Sequence, residues 1–389
     1  MRKKILFTSN CFGEDRSAAL IALELKQMLK EKGIEMDVSG ASLISEGRDY
    51  SSRGIDLLFS SYVPPSGGFP TRSLKGFIAD LFHLTLLSDF VKAVKKAGDD
   101  CALCVVVGDI SLLFLTNLAL KNCPILFLAP AKSDYIEGHY AVERWYMKKT
   151  ADYVFTHDEF TAANLRKKDI NALFLGNPMM DDLELKEVQN LPEQQYKNPV
   201  IGIFPGSRSE AYDNFNMILD LIEHIPVQER GGLTFLTAVS GSLDIGPIKA
   251  KAALHGWKFA GNDKKTSLSK NGAEVQLCRN QFKEILHISD IIIGLAGTAN
   301  EQAAGMGKPI IGFKGMGPQT TVRRMEEQER LLGGALKFVR NYPDDAIKEL
   351  LLLMGDPAER KARGEAGKKR MGPGGGARNI AEFIIREFF

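Results

Sequence analysis

The chain has neither the cysteine framework, the histidine spacing, the one-signed charge nor the long apolar run that would place it in several large functional classes. Its six histidines are scattered. None falls into a His-Glu-x-x-His or comparable spacing, so each is expected to be structural and no metal site is predicted. Five cysteines in 389 residues, an odd number, form no disulfide framework, and a reducing cytoplasm is the expected setting. Cys101 and Cys104 share the apolar run 101–107, where strand geometry turns residues three apart to opposite faces; both are expected to be buried core thiols. A net charge of +2 leaves no basic excess for a nucleic-acid partner. Arg2-Lys3-Lys4 before Ile5-Leu6-Phe7 has the opening of a secretory leader, but Thr8, Ser9 and Asn10 end the apolar run at once, so export is not expected. The run 101–120 is interrupted by Gly108-Asp109, and no transmembrane span is expected. Gly307-Lys308-Pro309 lacks the Ser or Thr of a Walker loop, which disfavours ATP hydrolysis.

What is there is an ordinary globular composition, 44% hydrophobic and 25% charged, in a chain long enough for two α/β domains. Apolar strand candidates at 4–8, 102–107, 125–128, 153–156 and 172–175 alternate with helical segments. In the first of these helices Ala18, Ile21, Leu25, Met28 and Leu29 share one face, as a helix covering a sheet requires. After Gly176-Asn177-Pro178 the rhythm lapses into a charged, glutamine-rich stretch at 184–197, the best candidate for a linker. Strand candidates resume at 200–204, 233–239, 273–278, 290–293 and 309–313, with helices at 344–354 and 357–369 and a glycine break, 372–377, before a last amphipathic segment. This predicts an N-terminal Rossmann-like domain at 1–180, a linker at 181–198, a C-terminal domain at 199–371, and a hinge and terminal helix at 372–389 returning to the N-terminal domain.

Two segments deliver an apolar strand into a small-residue turn and a helix start, where unpaired N–H groups and the positive end of the helix dipole favour an anion. In the first, the strand at 290–294 runs into Gly297-Thr298-Ala299-Asn300-Glu301. Glu301 could accept hydrogen bonds from a vicinal diol such as ribose, or Thr298 and Glu301 could form a capping box. In the second, the strand at 200–204 runs into Pro205-Gly206-Ser207-Arg208-Ser209-Glu210. Ser207 and Glu210 could form another box, but capping has no use for Arg208, whose planar guanidinium suits a diphosphate. Both loops fall in the second domain, so the acid–base group should come from the first. The candidates there are Glu14 and Asp15, after Gly13, and Asp109. Each could act as a general base in a cleft or serve a helix terminus.

Taken in order, Gly13-Glu14, Gly176-Asn177-Pro178, Pro205-Gly206-Ser207-Arg208 and Gly297-Thr298-Ala299-x-Glu301 through Lys308-Pro309 resemble the GT-B glycosyltransferases, most closely lipid-A-disaccharide synthase and proteins related to it. The resemblance implies an α/β GT-B fold, two doubly wound Rossmann-like domains with an interdomain cleft. It implies that Gly206, Ser207, Arg208, Gly297, Thr298 and Ala299 hold a nucleotide diphosphate, that Glu301 meets the ribose, and that Gln319 in Gly317-Pro318-Gln319 contacts the donor sugar. Gly13 would lie on the acceptor side, and the base would be Asp109, Glu14 or Asp15. No Asp-x-Asp pair occurs, so the expected chemistry is metal-independent, inverting transfer from a UDP-linked sugar, with no cofactor, to a lipid-linked or amphipathic acceptor. A sugar-nucleotide 2-epimerase of the same fold and a non-catalytic binder are the alternatives. Departures fall on the acceptor side: Asp15-Arg16-Ser17 follows Glu14 where the synthase has x-Ser-Gly-Asp, and Leu112 stands where it has a second acid. The apolar segment 76–87, after the loop 64–69, with Lys75, Lys92, Lys95 and Lys96 nearby, is either an apolar entry at the inner membrane face or a helix covering the sheet.

Overall fold

Runs rich in valine and isoleucine lose little side-chain freedom as strands and bury well on both faces of a parallel sheet, and they form the central strands of two sheets. The computed structural model describes residues 3–61, 84–120, 122–185, 199–261 and 266–389. The loop 64–69, Lys75 and residues 76–83 of the apolar segment lie outside them, as does 186–198 of the expected linker. The chain divides into two compact units, Met1–Asp181 with Pro373–Phe389, and Asp182–Gly372.

The first unit runs β1 (Lys4–Ser9), α1 (Phe12–Glu31), β2 (Asp37–Ser42), α2 (Arg48–Ser51), β3 (Asp56–Phe59), α3 (Leu84–Gly98), β4 (Cys101–Val107), α4 (Ile110–Ala119), β5 (Ile125–Ala129), α5 (Ala141–Thr150), β6 (Tyr153–Thr156), α6 (Glu159–Arg166) and β7 (Ala172–Leu173). Its strands pair in parallel in the order β3-β2-β1-β4-β5-β6-β7. The second unit runs β8 (Val200–Phe204), α7 (Ala211–His224), α8 (Val227–Arg230), β9 (Thr234–Val239), α9 (Ile245–Leu254), β10 (Lys258–Gly261), β11 (Thr266–Lys270), β12 (Ala273–Arg279), α10 (Phe282–Ile288), β13 (Ile291–Gly294), α11 (Thr298–Gly305), β14 (Ile310–Phe313), α12 (Val322–Leu332), β15 (Leu336–Val339), α13 (Asp344–Gly355) and α14 (Pro357–Met371). Its sheet is ordered β10-β11-β12-β9-β8-β13-β14-β15. The stretch β10-β11-β12 is an antiparallel meander and the rest is parallel.

Five strands, β2, β3, β10, β11 and β15, stand where no strand was expected. In β2 the buried residues after Val38 are all small, Ser39, Gly40, Ala41 and Ser42, so no apolar alternation announces it. Gly40 is required there because a Cβ would lie 2.7 Å from the Tyr50 ring. β10 is exposed along its whole length at the sheet edge. A second correction concerns Cys101, which is only half-buried, with its sulfur 3.0 Å from that of Cys123, whereas Cys104 is fully buried.

The last helix, α15 (Gly376–Phe388), packs on α1, and its Phe383 ring meets Tyr153 and Phe155 edge-on at 4.8 and 5.4 Å. Asp181 holds the start of α15, accepting from the backbone N–H groups of Gly375 and, at 2.7 Å, Ala377. Gly376 must be glycine, since a Cβ would lie 2.7 Å from the carbonyl carbon of Gly176. The Gly176-Asn177-Pro178 segment is thereby spent on closing this unit. Among the described residues no helix is long and apolar enough to cross a membrane.

Candidate functional site

Each sheet has one place where successive connections leave in opposite directions, and there the loops part and open a crevice at the carboxyl ends of the strands. In the first unit it lies between β1 and β4, paired through Ser9 and Val107. The loops are still in contact where they leave the strands, since a Cβ on Gly108 would stand 3.0 Å from the Asn10 side chain. The loop after β1 leads into Gly13, Glu14 and Asp15 in the first turn of α1, and the loop after β4 ends at Asp109. One Asp109 oxygen accepts from the N–H groups of Ser111 and Leu112, 3.0 Å each, so this carboxylate caps α4.

Glu14 is half-buried, and Cys11 Sγ donates to its carboxylate at 3.2 Å. Burial raises its pKa above the usual range, and the nearby charges of Asp15 and Asp109 push the same way. Asp15 is 1% exposed. Its oxygens accept from Ser9 Oγ at 2.6 Å, Ser42 Oγ at 2.9 Å and the Ser45 hydroxyl. Burial also raises its pKa, against those three hydrogen bonds. Asp15 therefore ties together the loops after β1 and β2 and is closed to solvent.

In the second unit the corresponding place lies between β8 and β13, paired through Phe204 and Gly294, with Leu295 N donating to Phe204 O at 2.9 Å. Gly206 follows with φ +113°, a conformation side chains rarely adopt, beside Leu295 O. Ser207 is exposed and Arg208 half-buried. Neither possible capping box forms. Glu210 is itself the cap position of α7, and Gly297 is that of α11, so Thr298 is the first helical residue; neither cap receives a side-chain hydrogen bond. Thr298 is exposed, while Ala299 and Glu301 are half-buried in the first turn.

Three polar residues that pattern reading passed over hold these loops. Asn214 of α7, 1% exposed, donates to Pro205 O at 3.2 Å and to Met316 O at 3.4 Å, and accepts from Met316 N at 2.6 Å. It thus joins the loop after β8 to the loop after β14, which carries the half-buried Gln319. Asn300 donates to Gly294 O at 3.2 Å and to Gln328 Oε1 at 3.0 Å, and Gln328 of α12 donates to Ala296 O at 3.0 Å. A signal existed for Asn214, a polar residue on the buried stripe Ala211, Phe215, Ile218 and Ile222 of α7. Lys308, by contrast, donates to the carbonyls of His287 and Ser289 at 2.9 and 2.7 Å, just ahead of β14 and so at the opposite end of the strands. Burial lowers its pKa.

The structure thus groups Glu14, Asp15 and Asp109 at the crevice of one sheet, and Gly206, Ser207, Arg208, Gly297, Thr298, Ala299, Glu301 and Gln319 along three neighbouring loops of the other.

No protein-family model matches the chain. Lipid-A-disaccharide synthase 2 of Legionella pneumophila subsp. pneumophila strain Philadelphia 1 is 25% identical over 226 residues, 54% of this chain and 55% of that protein. The match therefore spans about half the length of this curated relative. Among solved structures, UDP-GlcNAc 2-epimerase from Neisseria meningitidis bound to UDP-GlcNAc covers 99% of this chain and 100% of its own, with TM-score 0.63 and 18% identity. The calicheamicin glycosyltransferase covers 99% and 98%, with TM-score 0.60 and 14% identity. The fold is GT-B, and the sequence is distantly similar to lipid-A-disaccharide synthase 2.

Proposed function

We propose that the chain is a glycosyltransferase that moves a sugar from a UDP-linked donor to a hydroxyl of a lipid-borne or other amphipathic acceptor, with inversion and without a metal ion. The observation that carries this reading is the division of labour between the two sheets. At the crevice of one, burial raises the pKa of a half-buried carboxyl group; at that of the other, two helix starts follow paired strands, and Arg208 stands in the loop ahead of one of them. The distant similarity to a disaccharide synthase and the GT-B fold agree with it.

In this mechanism Arg208 and the N–H groups at the starts of α7 and α11 hold the diphosphate, Glu301 accepts from the ribose diol and Gln319 meets the sugar. Glu14 takes the proton of the acceptor hydroxyl as its oxygen attacks the anomeric carbon. The bond from that carbon to the diphosphate breaks on the far side, its electron pair leaves with UDP, and the configuration inverts. The leaving charge is met by the guanidinium and the helix dipoles. Asp109, committed to capping α4, holds the crevice in shape, and Asp15 does the same from below.

UDP and UDP-sugars are expected to raise the thermal midpoint, and Arg208→Ala and Glu301→Ala to abolish the rise while leaving the unliganded midpoint in place. Absence of any nucleotide-dependent shift sinks the reading. The full-length likeness to an epimerase supports a second one: steady conversion of UDP-GlcNAc to its epimer with no acceptor present would replace transfer by isomerisation.

A further inference from the structure

We propose that Cys101 and Cys123 are a peroxide-responsive thiol pair, oxidised to a disulfide that staples the amino ends of β4 and β5. The two sulfurs lie 3.0 Å apart, the Cys123 thiol donating to the Cys101 sulfur. A disulfide bond is about 2.0 Å long, so closure asks for a movement of about 1 Å. Both residues are half-buried, and the exposed Asp99 and Asn122 stand beside them in the chain, which leaves the pair open to a water-sized oxidant. An irregularity in the strand brings the two thiols together. Alternation along a regular strand would turn Cys101 away from Cys104, yet both pack on the same core layer, as does Cys123. The cause is in the register: Lys4 of β1 faces Cys101 and Ile5 faces Leu103, so β4 carries one extra residue at its start. Such a bulge re-aims the side chain next to it. Here it turns Cys101 to the face of Cys123, which precedes β5, the parallel neighbour of β4.

The two thiols are not equivalent. The hydrogen bond from Cys123 lowers the pKa of Cys101 by more than burial raises it, and the charge of Lys4 adds to the lowering. Cys123, as the donor, has its pKa raised. Cys101 is thus the attacking sulfur and Cys123 the resolving one. The Cys101 sulfur takes one oxygen from hydrogen peroxide: the O–O bond breaks, and the departing hydroxide accepts the thiol proton and leaves as water. The Cys123 sulfur then attacks the sulfenic sulfur, the S–O bond breaks, and the hydroxyl leaves as a second water with the Cys123 proton. The two thiols together lose two electrons, and the peroxide is reduced to water. Cys104, fully buried and with its pKa raised by that burial, takes no part. In a reducing compartment the pair rests as thiols, and a dithiol restores it after oxidation. The staple lies at the opposite end of the strands from the crevice and is independent of the transferase reading.

The test is titration of the full, reduced chain with hydrogen peroxide, read by fragment-resolved mass mapping, by dimedone trapping of sulfenic acid and by the thermal midpoint. Expected are a Cys101–Cys123 linkage, a midpoint raised by roughly 5–10 °C, and reversal of both by dithiothreitol. Cys123→Ser should be trapped by dimedone at Cys101, Cys101→Ser should not be trapped at Cys123, and neither variant should gain the rise in midpoint. Circular dichroism of the reduced variants checks that they fold, and the linkage map of the parent chain decides the matter without them. The proposal is overturned if peroxide leaves Cys101 and Cys123 unlinked, if the linkage joins Cys104 or two separate chains, or if the linked chain melts where the reduced chain does, which would make the pair a packing contact. Nucleotide binding and sugar transfer enter none of these readouts, so failure of the transferase reading leaves the thiol pair standing.

Discussion

Glu14 and Asp15 stand side by side in the first turn of α1, and what separates them is the company each carboxyl group keeps. Three serine hydroxyls surround Asp15, whereas Glu14 has its own backbone N–H, the weak donor Cys11 and two neighbouring acids. Because burial raises the folded-state pKa of Glu14, the stability it contributes is fully present below its unfolded value and is lost as pH rises through the folded value. Glu14→Gln should therefore flatten the dependence of the thermal midpoint on pH in that window. If Glu14 is the base, the same substitution should lower kcat by about 10²–10⁴-fold while leaving UDP binding unchanged. An unchanged kcat would move the base elsewhere. The sequence offered three acids with the same two readings each, since a first-turn carboxylate has the same pattern whether it meets a serine, a backbone N–H or a substrate.

At the scale of elements, the glycine turns were legible because apolar strand, small residues and helix follow one another in the chain. The partners that hold them were not. Asn214 lies more than 100 residues from Met316, whose backbone it bonds, and no local pattern carries that distance. Asn214→Ala should cost about 1–3 kcal/mol by leaving the Met316 N–H without its acceptor. It should also weaken UDP binding, since the loops after β8 and β14 are released together; isothermal titration alongside urea unfolding measures both. A variant that loses stability but binds UDP as tightly as the parent chain would reduce Asn214 to a structural residue. The two possible capping boxes show the opposite limit. Their spacing is satisfied, yet the helices start at Ala211 and Thr298, one residue or more away from where a box would need them.

At the scale of the molecule, α15 carries the chain end back to the sheet of the first unit. Phe383 there is 5% exposed against Tyr153 and Phe155. Phe383→Ala should destabilise the first unit by about 3–5 kcal/mol, with the UDP affinity proposed for the second unit unchanged. Parallel measurements of unfolding and of nucleotide binding would separate the two. An equal loss in both would mean that the units do not respond independently.

By itself the sequence determined the α/β class, the ten apolar strands around which both sheets are wound and the places where glycine turns meet helix starts, because each of these is written within a dozen consecutive residues. Only the tertiary structure decided which strands of small or exposed residues complete the sheets, since Ser39, Gly40 and Ala41 are buried by Tyr50 and by neighbouring strands and not by any hydrophobicity of their own. It also decided that the loops after β1 and β4, and those after β8 and β13, stand next to each other. Strand order is set by which faces bury one another across the whole chain, and that is not a local property.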